Sequence, residues 1–182
     1  MPPAEAGTDD SAQRPPRTLV LLRHGKSAYP PGVSDHDRPL APRGRRGAAL
    51  AGAWITDHLP VIDHVLCSTA ERARQTLAAS GLQQPSVLVD YTDEIYDADP
   101  EELLALVTAA SRAERTLLMV GHAPGIPALA KQLAGPDSDQ DAAAQLGMKF
   151  PTAAIAVLRL GGDWADATTG SAALTYFGRP NE

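Results

Sequence analysis

The sequence is almost without cysteine, and this shortage excludes several kinds of protein. Cys67 is the single cysteine among 182 residues, so the chain can form neither an internal disulfide nor a zinc site built from several cysteines. A chain without disulfides fits a reducing compartment, and we expect a cytoplasmic protein. Cys67 lies in an apolar run, where nothing marks it as a nucleophile, and we interpret it as a buried strand residue.

Long hydrophobic runs are also missing. No apolar stretch approaches the roughly 20 residues needed to span a bilayer, and residues 1–17 lack the apolar core of a signal peptide. This first segment is rich in Pro, Ala and polar groups, and such segments bury too little apolar surface to order themselves. We therefore expect no membrane partner, a flexible tail over residues 1–17 and one domain over residues 18–182.

Positive charge is scarce relative to negative charge. The 16 Lys and Arg residues face 22 Asp and Glu residues, which gives a net charge of −6 at pH 7. Such a chain repels a nucleic-acid backbone, so we expect no nucleic-acid partner. A local cluster of arginines can still attract a phosphorylated substrate to one cleft. Arg43, Arg45 and Arg46 form a basic cluster at a predicted helix start, which we interpret as a solvated face rather than a phosphoprotein docking patch.

Strands alternate with helices along most of the chain. Apolar runs predict strands at 18–22, 64–67, 86–89, 116–120, 153–160 and 172–177. Ala-rich or Leu-rich runs with start and stop signals predict helices at 43–58, from a Ser68 or Thr69 cap to 80, from 100 onward, and at 126–133. Residues 136–149 indicate an exposed acidic loop, and 26–42 a long functional loop. This order predicts a three-layer α/β/α sandwich with a mixed, mainly parallel sheet.

Two predicted strands end where a histidine and a glycine are adjacent. The first ends in Arg23-His24-Gly25 and the second in Gly121-His122. Ligands lie outside the carboxyl ends of parallel strands, so these two histidines can meet in one cleft. A third strand leads into a helix start that carries Arg72, and helix N-termini and arginines both favour bound phosphate. Each element alone is weak, but the three strand ends together predict an oxyanion site.

These motifs resemble the histidine phosphatase superfamily, which includes the cofactor-dependent phosphoglycerate mutases, over residues 18–177. The core motifs are Arg23-His24-Gly25, Ser68-x-x-x-Arg72-Ala73-x-Gln75-Thr76 and Gly121-His122. Within the superfamily, the sequence is most similar to the short SixA-like phosphohistidine phosphatases. That similarity rests on Lys26-Ser27, Asp35-x-x-Arg38-Pro39-Leu40, Glu94-x-Tyr96 and His122-x-Pro124-Gly125.

The resemblance implies a phosphatase that forms a covalent phosphohistidine on His24. Arg23 and Arg72 would then hold the phosphoryl oxygens, and His122 would stabilise the transferring group. Because the arginines supply the positive charge, the implied enzyme needs neither a metal nor another cofactor. Ser27 and Asp35 are further candidates for substrate binding.

The general acid and the substrate stay open. In the mutase branch a glutamate after the third strand protonates the leaving group, and Glu94 aligns best with it. Asp35, in the long loop, is a rival for this role. The SixA-like branch implies protein phosphohistidine as the substrate. A small-molecule phosphomonoesterase of the same fold and a non-catalytic phosphate-binding module are the alternatives, so the expected partner is a phosphorylated protein or a small phosphorylated metabolite.

Overall fold

The structure is a computed structural model, and it describes residues 15–181. Its sheet has the strand order β3-β2-β4-β1-β5-β6. Neighbours among β3, β2, β4 and β1 are parallel, whereas β5 pairs antiparallel with both β1 and β6. The predicted mixed, mainly parallel sheet is confirmed, since only β5 runs against the others. The strands are β1 (Arg17–Arg23), β2 (His64–Ser68), β3 (Leu88–Thr92), β4 (Thr116–Gly121), β5 (Ile155–Leu160) and β6 (Ala172–Gly178).

Helices cover both faces of this sheet and complete the predicted three layers. Val20 and Leu22 of β1 pack with α1 and α2 on one face, and Leu19 and Leu21 pack with α3, α4 and α5 on the other. Successive side chains of a strand point to opposite faces, so a continuous apolar run is buried on both sides. Within residues 15–181, no helix is long and apolar enough to cross a membrane. The helices are α1 (Pro42–His58), α2 (Glu71–Ser80), α3 (Pro100–Thr108), α4 (Gly125–Leu133) and α5 (Gln140–Met148).

The loop after β1 is held tightly against the start of α1. A Cβ atom on Gly25 would lie 2.5 Å from the carbonyl oxygen of Gly44, and one on Gly44 would lie 2.1 Å from that of Lys26. The amide of Ala41 also donates to the Lys26 carbonyl at 2.8 Å. Only glycine permits so close an approach of two backbones. The turn that carries His24 is therefore fixed relative to α1.

Residues 136–149 contain a helix, so the prediction of an exposed acidic loop there was wrong. The Asp139 side chain caps α5 by accepting a hydrogen bond from the amide of Ala142 at 2.8 Å. Ala142 and Leu146, four residues apart, are both buried in the core. Such a cap followed by an i, i+4 apolar pair is a helix signal. The acidic residues of this segment had instead favoured an exposed loop.

The first strand begins one residue earlier than expected. Arg17, assigned to the tail from sequence, is the first residue of β1 and is only 2% exposed. Its guanidinium donates to the carbonyl oxygen of Glu114 at 3.0 Å and forms an ion pair with Asp163. The predicted flexible tail otherwise falls on residues 1–14, which lie outside the described residues, and on 15–16.

The third strand and the start of α2 also differ from the sequence predictions. The third strand runs over Leu88–Thr92 rather than 86–89, and most of its side chains are exposed or half-buried at the edge of the sheet. The N-cap of α2 is Ala70, which has no capping side chain, rather than Ser68 or Thr69. The Ser68 hydroxyl has a different role, which is described below.

Candidate active site

One pocket at the carboxyl edge of the sheet brings the principal motif residues together. Arg23 and His24 lie at the end of β1, His122 follows β4, and Arg72 lies in the first turn of α2. These side chains line a cavity of about 280 Å³. Arg23 is paired with Gly121 across the two parallel strands, so both histidines leave the sheet at the same level. Their ring centroids are 5.0 Å apart.

Among the described residues, one ring nitrogen of His24 has a hydrogen-bond partner and the other has none. The side chain is 7% exposed, and its Nδ1 lies 2.7 Å from the carbonyl oxygen of Gly25. A carbonyl only accepts, so Nδ1 carries the hydrogen, and Nε2 of the neutral ring keeps its lone pair. Burial, with the charges of Arg72 and Arg23, lowers the pKa of His24 to about 4, against the opposing effect of the Gly25 hydrogen bond. The ring is therefore neutral at pH 7.

Thr76 connects the turn of His24 to the helix that carries Arg72. The amide of Gly25 donates to Thr76 Oγ1 at 2.9 Å, and that hydroxyl donates to the carbonyl oxygen of Arg72 at 2.6 Å. Thr76 is fully buried. The Thr76 hydroxyl thus fixes the turn that carries His24 against α2. This double role requires a side chain with a hydroxyl group at this position of the second motif.

Ser68 determines which nitrogen of His122 carries a hydrogen. Ser68 Oγ accepts from the amide of Ala70 at 3.3 Å and lies 2.8 Å from His122 Nε2. Ser68 is fully buried, and within residues 15–181 Nε2 is the acceptor within reach of its single hydroxyl hydrogen, so Ser68 donates to Nε2 and Nδ1 of the neutral ring carries the ring hydrogen. Burial, followed by the neighbouring His24 and Arg72, lowers the pKa of His122 to about 3. Nδ1 is buried and has no partner within residues 15–181.

Arg23 and Arg72 each have N–H groups that form no hydrogen bond within the described residues. Arg23 Nη1 donates to the carbonyl oxygen of Phe150 at 2.6 Å. Arg72 donates to the backbone carbonyl of Asp35 at 2.5 Å and to its carboxylate at 3.0 Å. In the part of the chain that the structure describes, the Nε atoms of both arginines are buried without a partner. A guanidinium has five N–H donors, so each arginine has some left for an oxyanion.

Asp35 and Ser27, from the long loop, both line the pocket. Asp35 accepts from the Tyr96 hydroxyl at 2.7 Å and from Arg38 Nε at 2.9 Å, in addition to Arg72. The Tyr96 hydrogen bond is the main cause that lowers the pKa of Asp35 to about 2. Ser27 is 5% exposed and accepts from Arg38 Nη1 at 2.9 Å. The Asp35 carboxylate is therefore anionic at neutral pH and has no proton to give.

Glu94 does not reach this pocket, so its placement does not support the expected role of general acid. It is exposed in a short 3-10 turn after β3 and borders a separate concavity with Glu102 and Leu106. Among residues 15–181, the carboxylates that line the candidate active site are those of Asp35 and Asp97. Tyr96, two residues further along, contacts the site instead, because its ring packs edge-on at 5.5 Å from that of His122.

Three further residues shape the site and have no role that was predicted from the sequence. Lys26 lines the pocket, Arg38 bridges Ser27 and Asp35, and Tyr96 holds Asp35. All three lie within the phrases that carry the resemblance, so the signal was present. Their roles depend on how the long loop folds back, which the sequence spacing does not reveal.

The described residues offer neither a metal site nor a reactive thiol. Within residues 15–181, no group of three or more His, Cys, Asp or Glu side chains is arranged to hold a metal ion. Cys67 is fully buried, as expected, and burial raises the pKa of its thiol to about 12. His24 is therefore the strongest candidate nucleophile in the pocket.

Comparison with known proteins identifies the family. The family model of the histidine phosphatase superfamily (branch 1) matches residues 19–100. A solved structure from Nakamurella multipartitia, named after the phosphohistidine phosphatase SixA, is 43% identical with a TM-score of 0.83. That match covers 93% of this chain and 99% of the other. The chain belongs to the histidine phosphatase superfamily. The predicted family and its SixA-like branch are thus confirmed.

Two further proteins show how this histidine phosphatase relates to others. An uncharacterised protein of Mycobacterium tuberculosis is 49% identical over 160 residues, which cover 87% of this chain and 99% of that protein. The protein histidine phosphatase SixA has been solved in complex with tungstate. It is 26% identical to this chain, with a TM-score of 0.71 and coverage of 90% and 97% of the two chains.

Proposed function

We propose that this histidine phosphatase hydrolyses a phosphoryl group through a covalent phosphohistidine on His24. The observation that carries the proposal is the free Nε2 lone pair of a neutral, buried His24 beside a cluster of donors. Nε2 attacks phosphorus, and the leaving group departs with the electron pair of its bond to phosphorus. Water then attacks the phosphohistidine, loses a proton, and releases inorganic phosphate with His24 restored.

The surrounding donors stabilise the charge that the phosphoryl oxygens carry during transfer. Arg23 and Arg72 provide charge-assisted hydrogen bonds, and Nδ1–H of His122 provides a further donor next to the His24 ring. Phosphoryl transfer depends mainly on such positioning and electrostatic stabilisation. Tungstate is a tetrahedral oxyanion, and the SixA complex with it supports oxyanion binding in this family.

Protein phosphohistidine is the substrate class that we propose. An ester expels an alkoxide, which needs a proton from an acid, whereas the imidazole of a phosphohistidine can leave as a neutral ring. In this pocket Asp35 is held anionic by Tyr96 and two arginines, and Glu94 lies elsewhere. A site whose Asp35 carboxylate has no proton to give suits the second leaving group. The related SixA, which is 26% identical, is named a protein histidine phosphatase, and this name agrees with the proposed substrate class.

A small-molecule phosphomonoesterase is the second candidate, and Asp97 is the residue that favours it. Asp97 lines the pocket with an exposed carboxyl group, and its φ of 55° is a left-handed backbone conformation. Strained conformations of this kind are often found at functional sites. Asp97 could protonate an alkoxide if an ester were bound.

The nucleophile is tested by trapping the intermediate. Wild-type enzyme quenched during turnover of a phosphohistidine protein should carry acid-labile phosphate on His24, and His24→Ala should carry none. His58→Asn, on an exposed helix position, is a control that should retain the label. Label on another residue, or full activity in His24→Ala, would refute the mechanism. Binding of the phosphoprotein without turnover would instead indicate a phosphate-binding module.

The leaving group separates the two substrate classes. Asp97→Asn and Asp35→Asn should each be measured on a phosphohistidine protein and on an alkyl phosphate, so that any folding defect cancels. We expect Asp97→Asn to lower kcat/KM by less than about tenfold on phosphohistidine, since no acid is needed there. A loss of about 10²–10⁴-fold on the ester, combined with wild-type preference for that ester, would favour the phosphomonoesterase.

A further inference from the structure

A second cavity lies directly beside the candidate active site. It has a volume of about 330 Å³ and shares Arg23, Lys26 and Thr152 with the first pocket. Its remaining charged side chains come from three other segments of the chain. We call it the basic pocket, and its charged lining residues are Arg23, Lys26, Arg43, Lys149 and Arg179.

The basic pocket has a charge opposite to that of the whole chain. All five of its charged lining residues are cations, although acidic residues outnumber basic ones by 22 to 16 in the sequence. Within residues 15–181, Lys26, Arg43, Lys149 and Arg179 form no ion pair with any carboxylate. Like charges gathered without counter-ions repel one another, and a bound anion removes that repulsion.

The walls of the basic pocket are attached to the catalytic residues. The close approach of Gly44 to Lys26 fixes α1 against the loop after β1. On the opposite wall, the amide of Ala153 donates to the carbonyl oxygens of Arg23 and His24 at 3.1 and 3.2 Å. Arg23 borders both cavities. A group bound in the basic pocket would therefore lie at a defined position relative to His24.

The three arginines at the start of α1 are all exposed, but their surroundings differ. Arg43 lines the basic pocket, whereas Arg45 donates to the side chain of Gln75 at 3.0 Å. Arg46 lines a neighbouring surface cavity together with Arg179. Arg43 is also in the first turn of α1, where the helix dipole adds partial positive charge. Arg43 is exposed to solvent and also borders the basic pocket.

We propose that the basic pocket binds a second anionic group of the substrate, a phosphate or a carboxylate, while the scissile phosphoryl group lies against His24. This inference rests on the proposed function and narrows its substrate class to molecules with a second anion near the scissile group. Two kinds of substrate could provide this second anionic group. One is a bisphosphorylated small molecule, and the other is a protein with an acidic side chain close to a phosphohistidine.

Binding measurements can test the subsite without turnover. In the His24→Ala background, calorimetry should compare propyl phosphate with a series of alkane-α,ω-bisphosphates of increasing length. The best bisphosphate should bind at least about tenfold more tightly, equivalent to about 1.4 kcal/mol. Adding Lys149→Ala/Arg179→Ala should abolish that preference and leave the affinity for propyl phosphate unchanged. The matched control, Lys131→Ala/Arg74→Ala, removes one exposed lysine and one exposed arginine away from both cavities and should retain it.

Turnover with His24 intact distinguishes the two sources of the anion. A phosphohistidine protein should be compared with the same protein after its acidic residues near the phosphohistidine are changed to amides. A loss of kcat/KM that disappears in Lys149→Ala/Arg179→Ala identifies an acidic side chain as the anion, and a bisphosphate preference alone identifies a small molecule. The subsite is refuted if neither arm shows a preference, or if the variant and its matched control behave alike. Absence of all turnover would instead refute the proposed function.

Discussion

Lowering the pH should weaken the fold through the two histidines of the pocket. The pKa of His24 is about 4 and that of His122 about 3 in the folded chain, against about 6.5 in an unfolded one. At pH 7.5 both side chains are neutral in both states, so they contribute no pH dependence. Below pH 6.5 the unfolded chain binds protons that the folded chain refuses, and the free energy of unfolding therefore falls.

The size of this loss follows from the two pKa values. At pH 5.0, protonation of His24 stabilises the unfolded chain by about 2 kcal/mol, while the folded ring, with its pKa of about 4, is still almost entirely neutral. The loss grows by about 1.4 kcal/mol per pH unit and ends near pH 4, where the folded ring begins to charge. His122 adds a loss of similar size. The two add at pH 5.0 because neither ring is charged in the folded chain there.

Urea denaturation at pH 7.5 and at pH 5.0 measures this loss directly. The free energy of unfolding should fall between pH 7.5 and pH 5.0. This fall should be smaller than in wild type by about 2 kcal/mol in His24→Asn and by about 4 kcal/mol in His24→Asn/His122→Asn. Taking the difference between pH values within each variant cancels any effect of the substitution on stability itself. His58→Asn removes an exposed histidine and serves as the reference. Equal pH dependence in wild type and His24→Asn would refute the neutral, buried nucleophile.

Three further predictions concern the frame of the site and its chemistry. Gly44→Ala places a Cβ atom 2.1 Å from the Lys26 carbonyl oxygen, so urea denaturation should show a loss of more than about 2 kcal/mol. Its control, Gly147→Ala, meets no atom within 4 Å on α5 and should be neutral or stabilising by up to about 1 kcal/mol. Ser68→Ala should lower kcat at least about tenfold by releasing the His122 tautomer, visible as a change in the ring ¹⁵N shifts; unchanged shifts would contradict this. Activity should survive excess chelator, and loss that a divalent ion restores would count against an arginine-based site.

The convergence of the motif residues could be predicted because it depends on a simple property of parallel sheets. The apolar runs of β1 and β4 identify strands buried on both faces, and the carboxyl ends of such strands share one edge. Arg23, His24 and His122 follow from that rule. The position of Arg72 at the same edge could be predicted from the strand-to-helix turn that precedes it. The family resemblance then assigns these four residues to the binding and transfer of a phosphoryl group.

The parts that could not be predicted depend on local rotation or on distant segments. Glu94 aligns with a motif, but after the 3-10 turn that follows β3 it is Tyr96 whose ring packs against His122. A shift of two residues in such a turn changes which side chain points inward. The basic pocket is formed by residues as far apart as Lys26 and Arg179. No window of sequence contains them together, so only the folded chain shows their common cavity.

Burial explains how a nucleophile can function among so many cations. A charged His24 would attract a phosphate more strongly, but it would have no lone pair with which to attack. Because desolvation lowers its pKa to about 4 and the adjacent arginines act in the same direction, the ring stays neutral while Arg23 and Arg72 keep their charge. The attraction for the anion and the nucleophilic lone pair therefore reside on different side chains. The hydrogen bond to Gly25, which alone would raise the pKa of His24, instead keeps the hydrogen on Nδ1 and the lone pair on Nε2.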